Sequence, residues 1–174
     1  MEQILPVGIF THYKNLIMKA NLGLTEKNLN GITDLLSAVL ADAALLYNKT
    51  RKFHWNVSGN SFMELHKLFE AHYHKLEEAI DEIAERINKL GAKTPGTMQE
   101  FIEKSQLKEA PGKYPDQQSM IKELLKDHET IIVQLRKNIN DSEEKFKDKG
   151  TADFLTDLLR EHETMAWTLR RYFN

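Results

Sequence analysis

The chain contains no cysteine. That excludes a disulfide framework and every thiolate metal site, so a bound transition metal has to be held by His, Asp and Glu. Glycine and proline are scarce, at 8 and 4 residues of 174. An all-β fold built on tight turns needs more of both. Charge of one sign is lacking too. The 24 basic side chains stand against 26 acidic ones, for a formal net charge of −2. A dedicated nucleic-acid binder is usually basic. Lys14 and Lys19 are the only lysines before Gly23, and Arg170 and Arg171 are the only basic residues at the other end. Neither terminus is a strong polybasic arm. The longest apolar stretch, Leu35 to Leu46, carries Asp42 and falls short of the ~20 residues of a membrane helix. No charged-then-apolar leader is visible. The expectation is a cytoplasmic protein with no membrane partner, nucleoid association being left open.

What is present is ordinary for one soluble domain with a full core: 41% apolar and 29% charged residues. Residues 1–24 read as an N-terminal arm with little periodicity, and residues 25–174 as the folded domain. Thr25 is a good N-cap. After it Ile32, Leu35, Leu36, Val39, Leu40, Ala43, Leu46 and Tyr47 recur at helical spacing, to about Trp55. Val57-Ser58-Gly59-Asn60 reverses the chain. Ser61 followed by Glu64 has the form of a capping box opening a second helix, which ends at Gly91. Pro95, Gly96, Pro111 and Gly112 mark a long crossover with room for one short helix, about Thr97 to Lys104. A third helix is predicted from Asp116 to Lys147. Asp148-Lys149-Gly150 breaks it, and Thr151 caps a fourth. Two helical hairpins joined by one long crossover describe an all-α, ferritin-like four-helix bundle with a short extra helix in the crossover.

Non-sulfur iron sites use imidazole nitrogen and carboxylate oxygen. In di-iron bundles, Glu-x-x-His pairs on two helices supply much of an intrachain site. The residues three before the seven histidines are Ile9, Arg51, Met63, Phe69, Ala71, Leu125 and Leu159, none of them Glu. The intrachain pattern is absent. A different one lies on the second helix. His66 and Glu70 form an i,i+4 pair, and so do Asp81 and Glu85, on roughly the same side. The pair centres are 15 residues apart, or ~22 Å at the helical rise. One chain cannot bring them to one metal. Two copies of this helix packed antiparallel about an axis near Lys75 and Leu76 can, and they make the site twice. His54 lies six residues before Asn60 and His66 six after it, so a hairpin turning there sets the two imidazoles at similar height. Taken singly, each residue has an ordinary explanation. A His at a helix end is usually a hydrogen-bonded surface group. Asp81 and Glu85 can simply pair with Arg86 or Lys89.

His54-Trp55-Asn56-Val57-Ser58-Gly59, followed by Phe62, Leu65-His66 and Glu70, resembles the first signature of the Dps mini-ferritins. Asp81-Glu82-Ile83-Ala84-Glu85-Arg86 resembles the second, and Thr151-Ala152-Asp153 with Trp167 is similar to the family's C-terminal region. The resemblance implies a dodecameric shell around a hollow cavity. It implies a ferroxidase whose di-iron sites take His54, His66 and Glu70 from one subunit and Asp81 and Glu85 from its two-fold mate. Many relatives carry Asp at the position of Glu70. Iron (Fe²⁺, then Fe³⁺) and hydrogen peroxide are the implied substrates, Zn²⁺ is a competitor for the site, and ferric mineral is the stored product. Glu85 is the implied bridge between irons, and Trp55 an adjacent electron donor or radical trap. Its ordinary reading is a core aromatic at a helix end. Asp153, with Asp148 and Asp157, resembles the family's three-fold pore by position, although Lys149 and Gly150 stand where some relatives carry acids. Asp153 reads equally as a carboxylate at a helix N-terminus. His72 and His74 read as interface or surface residues, while His12, His128 and His162 carry no motif. The alternative function is DNA compaction, with Lys14, Lys19, Arg170 and Arg171 as a weak patch multiplied by assembly.

Overall fold

Five α-helices and one π-helical turn make up residues 21–173, the part of the chain that this computed structural model describes. His12, Lys14, Lys19 and most of the predicted arm lie outside the described residues. Helix α1 spans Glu26–Asn56, α2 Phe62–Lys89, α3 Met98–Lys104, α4 Gln117–Asn140 and α5 Lys149–Arg170. Helices α1 and α2 pack as one hairpin, α4 and α5 as the other, and α3 sits in the crossover against α1.

Most boundaries follow from local chemistry. Thr25 caps α1 by accepting from Asn28 N–H. Thr97 and Glu100 close a capping box on α3, and Asp116 accepts from Ser119 N–H to open α4. Gly91, at φ 87°, takes the left-handed turn that ends α2, with Ala92 N–H reaching back to the Ile87 carbonyl at 3.3 Å.

Three predicted details are corrected. Ser61 makes no side-chain cap bond, because its backbone (φ −98°, ψ 24°) is not extended. Gly59, at φ 112°, makes the turn instead, and a Cβ there would meet the Gln117 amide at 2.9 Å. The helix predicted to reach Lys147 ends at Asn140 and widens into a π-helical turn over Asp141–Lys145. That wider turn sets the Phe146 ring on Gly31, where a Cβ would stand 2.2 Å from the ring. Asn28 Nδ2 donates to the Phe146 carbonyl at 2.9 Å, pinning it to α1. Finally, Asp148 rather than Thr151 caps α5, accepting from Thr151 N–H at 3.0 Å.

The core is drawn from all four long helices. Leu36, Leu40, Leu46, Leu65, Phe69, Leu76, Ile83, Ile87, Met120, Ile121 and Leu124 are fully buried, and each such side chain contributes about 1.5–3 kcal/mol by leaving water. Helix α1 is long and apolar enough to cross a bilayer, but its apolar surface is mostly buried as the bundle's centre. The buried polar side chains of α1 include Asp42 and Lys49, and both tie the crossover down. Asp42 accepts from Ser105 Oγ (2.6 Å), Gln106 N–H (2.9 Å) and Gln106 Nε2 (2.8 Å). Lys49 Nζ donates to Asp127 (2.6 Å) and the Lys108 carbonyl (2.9 Å), with Glu123 at 3.1 Å. These bonds fix α1 in register with the rest of the bundle, and so fix the end that carries His54.

Candidate metal centre

The α1–α2 hairpin places His54 in the last turn of α1 and His66 early in α2. Their rings stack with centroids 3.8 Å apart and 19° between planes. The His54 Nδ1–H donates to the His66 carbonyl at 2.8 Å, and the His66 Nδ1–H donates to the His54 carbonyl at 3.0 Å. A carbonyl only accepts, so each Nδ1 must carry the proton. In its neutral form each ring therefore presents a bare Nε2 lone pair, the form a metal ligand requires. The equal height expected from the hairpin is met, and the tautomers come with it.

Glu70 is exposed one turn along α2. Asp81 and Glu85 are also exposed, near the far end of the same helix. Of the two alternative pairings open to these acids, one occurs. Lys89 Nζ lies 2.8 Å from Glu85, and its hydrogen bond and charge lower the Glu85 pKa. Arg86 turns away, to Thr151 Oγ1 (3.0 Å) and the Asp148 carboxylate (3.3 Å). Among the described residues, no three His, Asp or Glu side chains of the single chain converge on one point.

Trp55 is 63% exposed in the single chain and is not a core aromatic. Its ring lies under the Arg51 guanidinium, 5.0 Å away. The same guanidinium covers Tyr47 at 5.2 Å and Tyr73 at 5.6 Å. Tyr73 in turn meets His54 edge-on, with centroids 5.3 Å apart. Of these residues the sequence marks Tyr47 alone, as part of the apolar stripe of the first helix, and gives Arg51 and Tyr73 no role. Their signal was the four-residue spacing of Tyr47, Arg51 and Trp55, which puts all three on one face of α1.

The three acids read as pore residues separate. Asp148 is buried, and its carboxylate is taken up by the α5 cap and by Arg86. Asp153 is exposed in the first turns of α5. Asp157 is exposed and paired with Arg160.

The remaining histidines divide sharply. His74 is exposed, 3.4 Å from Glu77. His72, His128 and His162 are buried in the bundle, one each from α2, α4 and α5. The Nδ1 atoms of His128 and His162 lie 3.0 Å apart in a hydrogen bond. The His72 ring meets the His128 ring edge-on at 5.9 Å. Thr168 uses its hydroxyl proton on the Met165 carbonyl, so the His72 Nε2–H donates to Thr168 Oγ1 at 3.1 Å. The buried nitrogens His72 Nδ1 and His128 Nε2 have no hydrogen-bond partner among the described residues. Burial pushes the pKa of His72 and of His162 down to about 4, and that of His128 well below its ordinary value.

The ferritin-like domain family model matches residues 33–174. A low temperature-induced protein of Nostoc is 46% identical over 154 residues, covering 88% of this chain and 86% of that one. A DNA protection during starvation protein of Bacillus anthracis is 36% identical over 144 residues, covering 82% and 97%. Among solved structures, DpsC of Streptomyces coelicolor superposes with a TM-score of 0.85 at 29% identity, covering 88% of this chain and 90% of that one. The Dps protein of Vibrio cholerae, described as one of the ferritin-like diiron-carboxylate proteins, superposes with a TM-score of 0.83 at 30% identity, covering 90% and 98%. This chain belongs to the Dps family of ferritin-like proteins.

Proposed function

We propose that the protein is a ferroxidase and iron-storage shell whose sites form between two copies of the chain. One subunit supplies His54, His66 and Glu70, and its two-fold partner supplies the equivalents of Asp81 and Glu85. Iron is the substrate: two Fe²⁺ each give up one electron to hydrogen peroxide, and two protons complete its reduction to water. The Fe³⁺ product collects as mineral inside a closed, dodecameric assembly. Asp153 and Asp157, exposed on α5, attract the incoming cation at a pore.

The observation that carries this reading is the locked imidazole pair. The two rings are stacked with each Nδ1 committed to a carbonyl, and one carboxylate, Glu70, lies a turn along α2 from His66. Such a half-site has too few donors to hold a metal well, and the acids that complete it lie ~22 Å along the same helix. An antiparallel partner helix closes that distance. The donors are borderline-hard nitrogen and oxygen, which suit Fe²⁺ and also admit Zn²⁺ as an inhibitor.

The test is anaerobic Fe²⁺ loading followed by peroxide, with His54→Ala and Asp81→Ala beside the wild type. Each variant alone should lose rapid oxidation. Mixed hybrids should recover part of it, because a dimer of one of each has one site with both faults and one with neither. Equal rates in wild type and both variants would end the ferroxidase reading.

A second reading, DNA compaction, draws on the names of relatives such as the Bacillus anthracis protein. Arg170 is already paired with Glu129 at 2.8 Å, whereas Arg171 makes no salt bridge among the described residues. Phosphate-driven binding falls steeply with salt. A gel shift that persists at physiological salt would favour this reading, and no shift at low or physiological salt would remove it.

A further inference from the structure

Beside the imidazole pair stands an array that the iron ligands do not explain. Arg51 is held by ring faces on three sides, from Tyr47, Trp55 and Tyr73. Among the described residues no carboxylate pairs with it, and its buried Nε–H has no partner. Its Nη1–H donates to the Tyr47 hydroxyl at 2.8 Å. That hydroxyl directs its own proton toward Glu77 Oε1, 3.5 Å away. Tyr73 bridges the array to the site: its ring lies 5.3 Å from His54 and 6.1 Å from Tyr47, edge-on to both.

The three rings differ in how they can lose an electron. An uncompensated guanidinium over a ring penalises any added positive charge there, most strongly in a partly buried setting. Among the described residues Trp55 and Tyr73 have no carboxylate partner to take a proton, so oxidising either one under Arg51 puts a second positive charge beside the first. Tyr47 differs. It can pass its proton to Glu77 as the electron leaves, and its oxidised form stays neutral. The phenoxyl oxygen keeps the hydrogen bond from Arg51.

We propose that Tyr47, reached through Tyr73 and paired with Glu77 as its proton acceptor, holds the oxidising equivalent left over when hydrogen peroxide meets a site carrying only one iron. This inference rests on the ferroxidase reading above. A single Fe²⁺ gives one electron to peroxide, which breaks the O–O bond and yields Fe³⁺, hydroxide and a hydroxyl-radical equivalent. Tyr47 supplies the second electron through Tyr73, reducing that equivalent to hydroxide. The Tyr47 O–H bond breaks and its proton goes to Glu77. From Glu77 it neutralises one hydroxide to water. A second Fe²⁺ arriving at the site then reduces the phenoxyl, with one proton from solvent restoring the Tyr47 hydroxyl and a second converting the remaining hydroxide to water. The sum is two Fe²⁺, one peroxide and two protons giving two Fe³⁺ and two waters. No radical leaves the protein in the interval.

Two measurements test this, one without iron. In iron-free assembled protein, one-electron oxidation by azide radicals should produce an indolyl signal that converts to phenoxyl. The conversion should be largely lost in Tyr47→Phe and several-fold slower in Glu77→Gln. Arg51→Met should leave more of the signal on indole, because the penalty on that ring is gone. In the second measurement, one Fe²⁺ per site is mixed with peroxide and freeze-quenched. Wild type should show a tyrosyl radical by electron paramagnetic resonance. Tyr47→Phe should lose it and release several-fold more spin-trapped hydroxyl radical. Two outcomes would overturn the inference. One is a phenoxyl yield in Tyr47→Phe equal to wild type in the iron-free experiment. The other is peroxide-driven iron oxidation in wild type with unchanged radical release in Tyr47→Phe. Failure of the ferroxidase reading would look different: wild type itself would oxidise no iron, and the iron-free result would stand on its own.

Discussion

His54 and His66 each donate to the other's backbone carbonyl, at 2.8 and 3.0 Å, so neither ring depends on the other's side chain for its tautomer. The acceptor atoms survive when either side chain is truncated. His66→Ala should therefore leave His54 in place with Nε2 unprotonated, which nitrogen-15 resonance of labelled histidine would show. Fe²⁺ affinity, measured by anaerobic titration of the assembled protein, should fall in each single variant by more than the about 10–100-fold found when a metal site loses only a supporting group, because each variant loses a ligand. The double variant should fall near the product of the two, apart from the lost ring stacking. A single variant as weak as the double would mean that the two rings act only as a unit.

Asp148, the N-cap of α5, and Asp153, five residues further on, should respond to truncation in opposite ways. Asp148 holds the Thr151 N–H and the Arg86 guanidinium in a buried setting. Asp148→Ala removes a cap and leaves Arg86 without its carboxylate, at a cost of about 1–3 kcal/mol. Asp153→Ala touches no such network. Its denaturation midpoint should stay near wild type while iron uptake slows at limiting Fe²⁺. Slowed uptake in Asp148→Ala with unchanged stability would return that residue to the pore.

The equal height of His54 and His66 is legible in the sequence, because a helical hairpin turning at Asn60 levels residues six to either side. Their tautomers are not legible, since those depend on how each ring rotates toward a carbonyl across the hairpin. The opposed pairs His66–Glu70 and Asp81–Glu85 could be read because one uninterrupted helix converts spacing directly into distance. The end of α4 could not. Asp141 to Lys145 contains no Gly or Pro, and nothing local opposes a continued helix. The break is tertiary, set by Phe146 docking where Gly31 leaves room. Ser61 and Glu64 show the opposite failure. They match a capping pattern, but Gly59 takes the chain through a turn that leaves Ser61 in the wrong conformation to cap. His128 and His162 are 34 residues apart on different helices, a separation no periodicity marks.

The buried ion pair of Lys49 and Asp127 is another contact that spacing cannot announce, and it makes a sharp stability prediction. Burial opposes the charge on both partners. For Lys49, the bonds to Asp127 and Glu123 outweigh burial and raise its pKa, whereas burial dominates at Asp127 and raises its pKa. The two groups meet at 2.6 Å, where each charge answers the other. Lys49→Met leaves Asp127 buried without a counter-charge and should cost about 3–5 kcal/mol, read as a lower denaturation midpoint. The double variant Lys49→Met, Asp127→Leu should recover much of that loss. If it is no more stable than Lys49→Met alone, the cost lies in the lost bond to the Lys108 carbonyl instead.

The buried histidines should set the acid limit of the fold. In an unfolded chain an imidazole takes up a proton near pH 6.5. In the native bundle, burial holds His72 and His162 down to about 4, with a further contribution at His162 from the charge of His72. Between those limits the unfolded state binds more protons, so stability rises with pH. The contribution is complete above pH 6.5 and is lost progressively as pH falls toward 4. At pH 5 each of the two costs roughly 2 kcal/mol relative to neutral pH. Carboxylates titrate in the same range, so the test compares two slopes. His72→Leu removes one titrating group together with an unpartnered buried nitrogen, and Thr168 keeps its own bond to the Met165 carbonyl. Its denaturation free energy between pH 6 and pH 4.5 should fall less steeply than that of wild type, by up to ~1.4 kcal/mol per pH unit. Identical slopes would mean that His72 is already protonated in the native bundle, and that its neighbours accept a charge there at little cost.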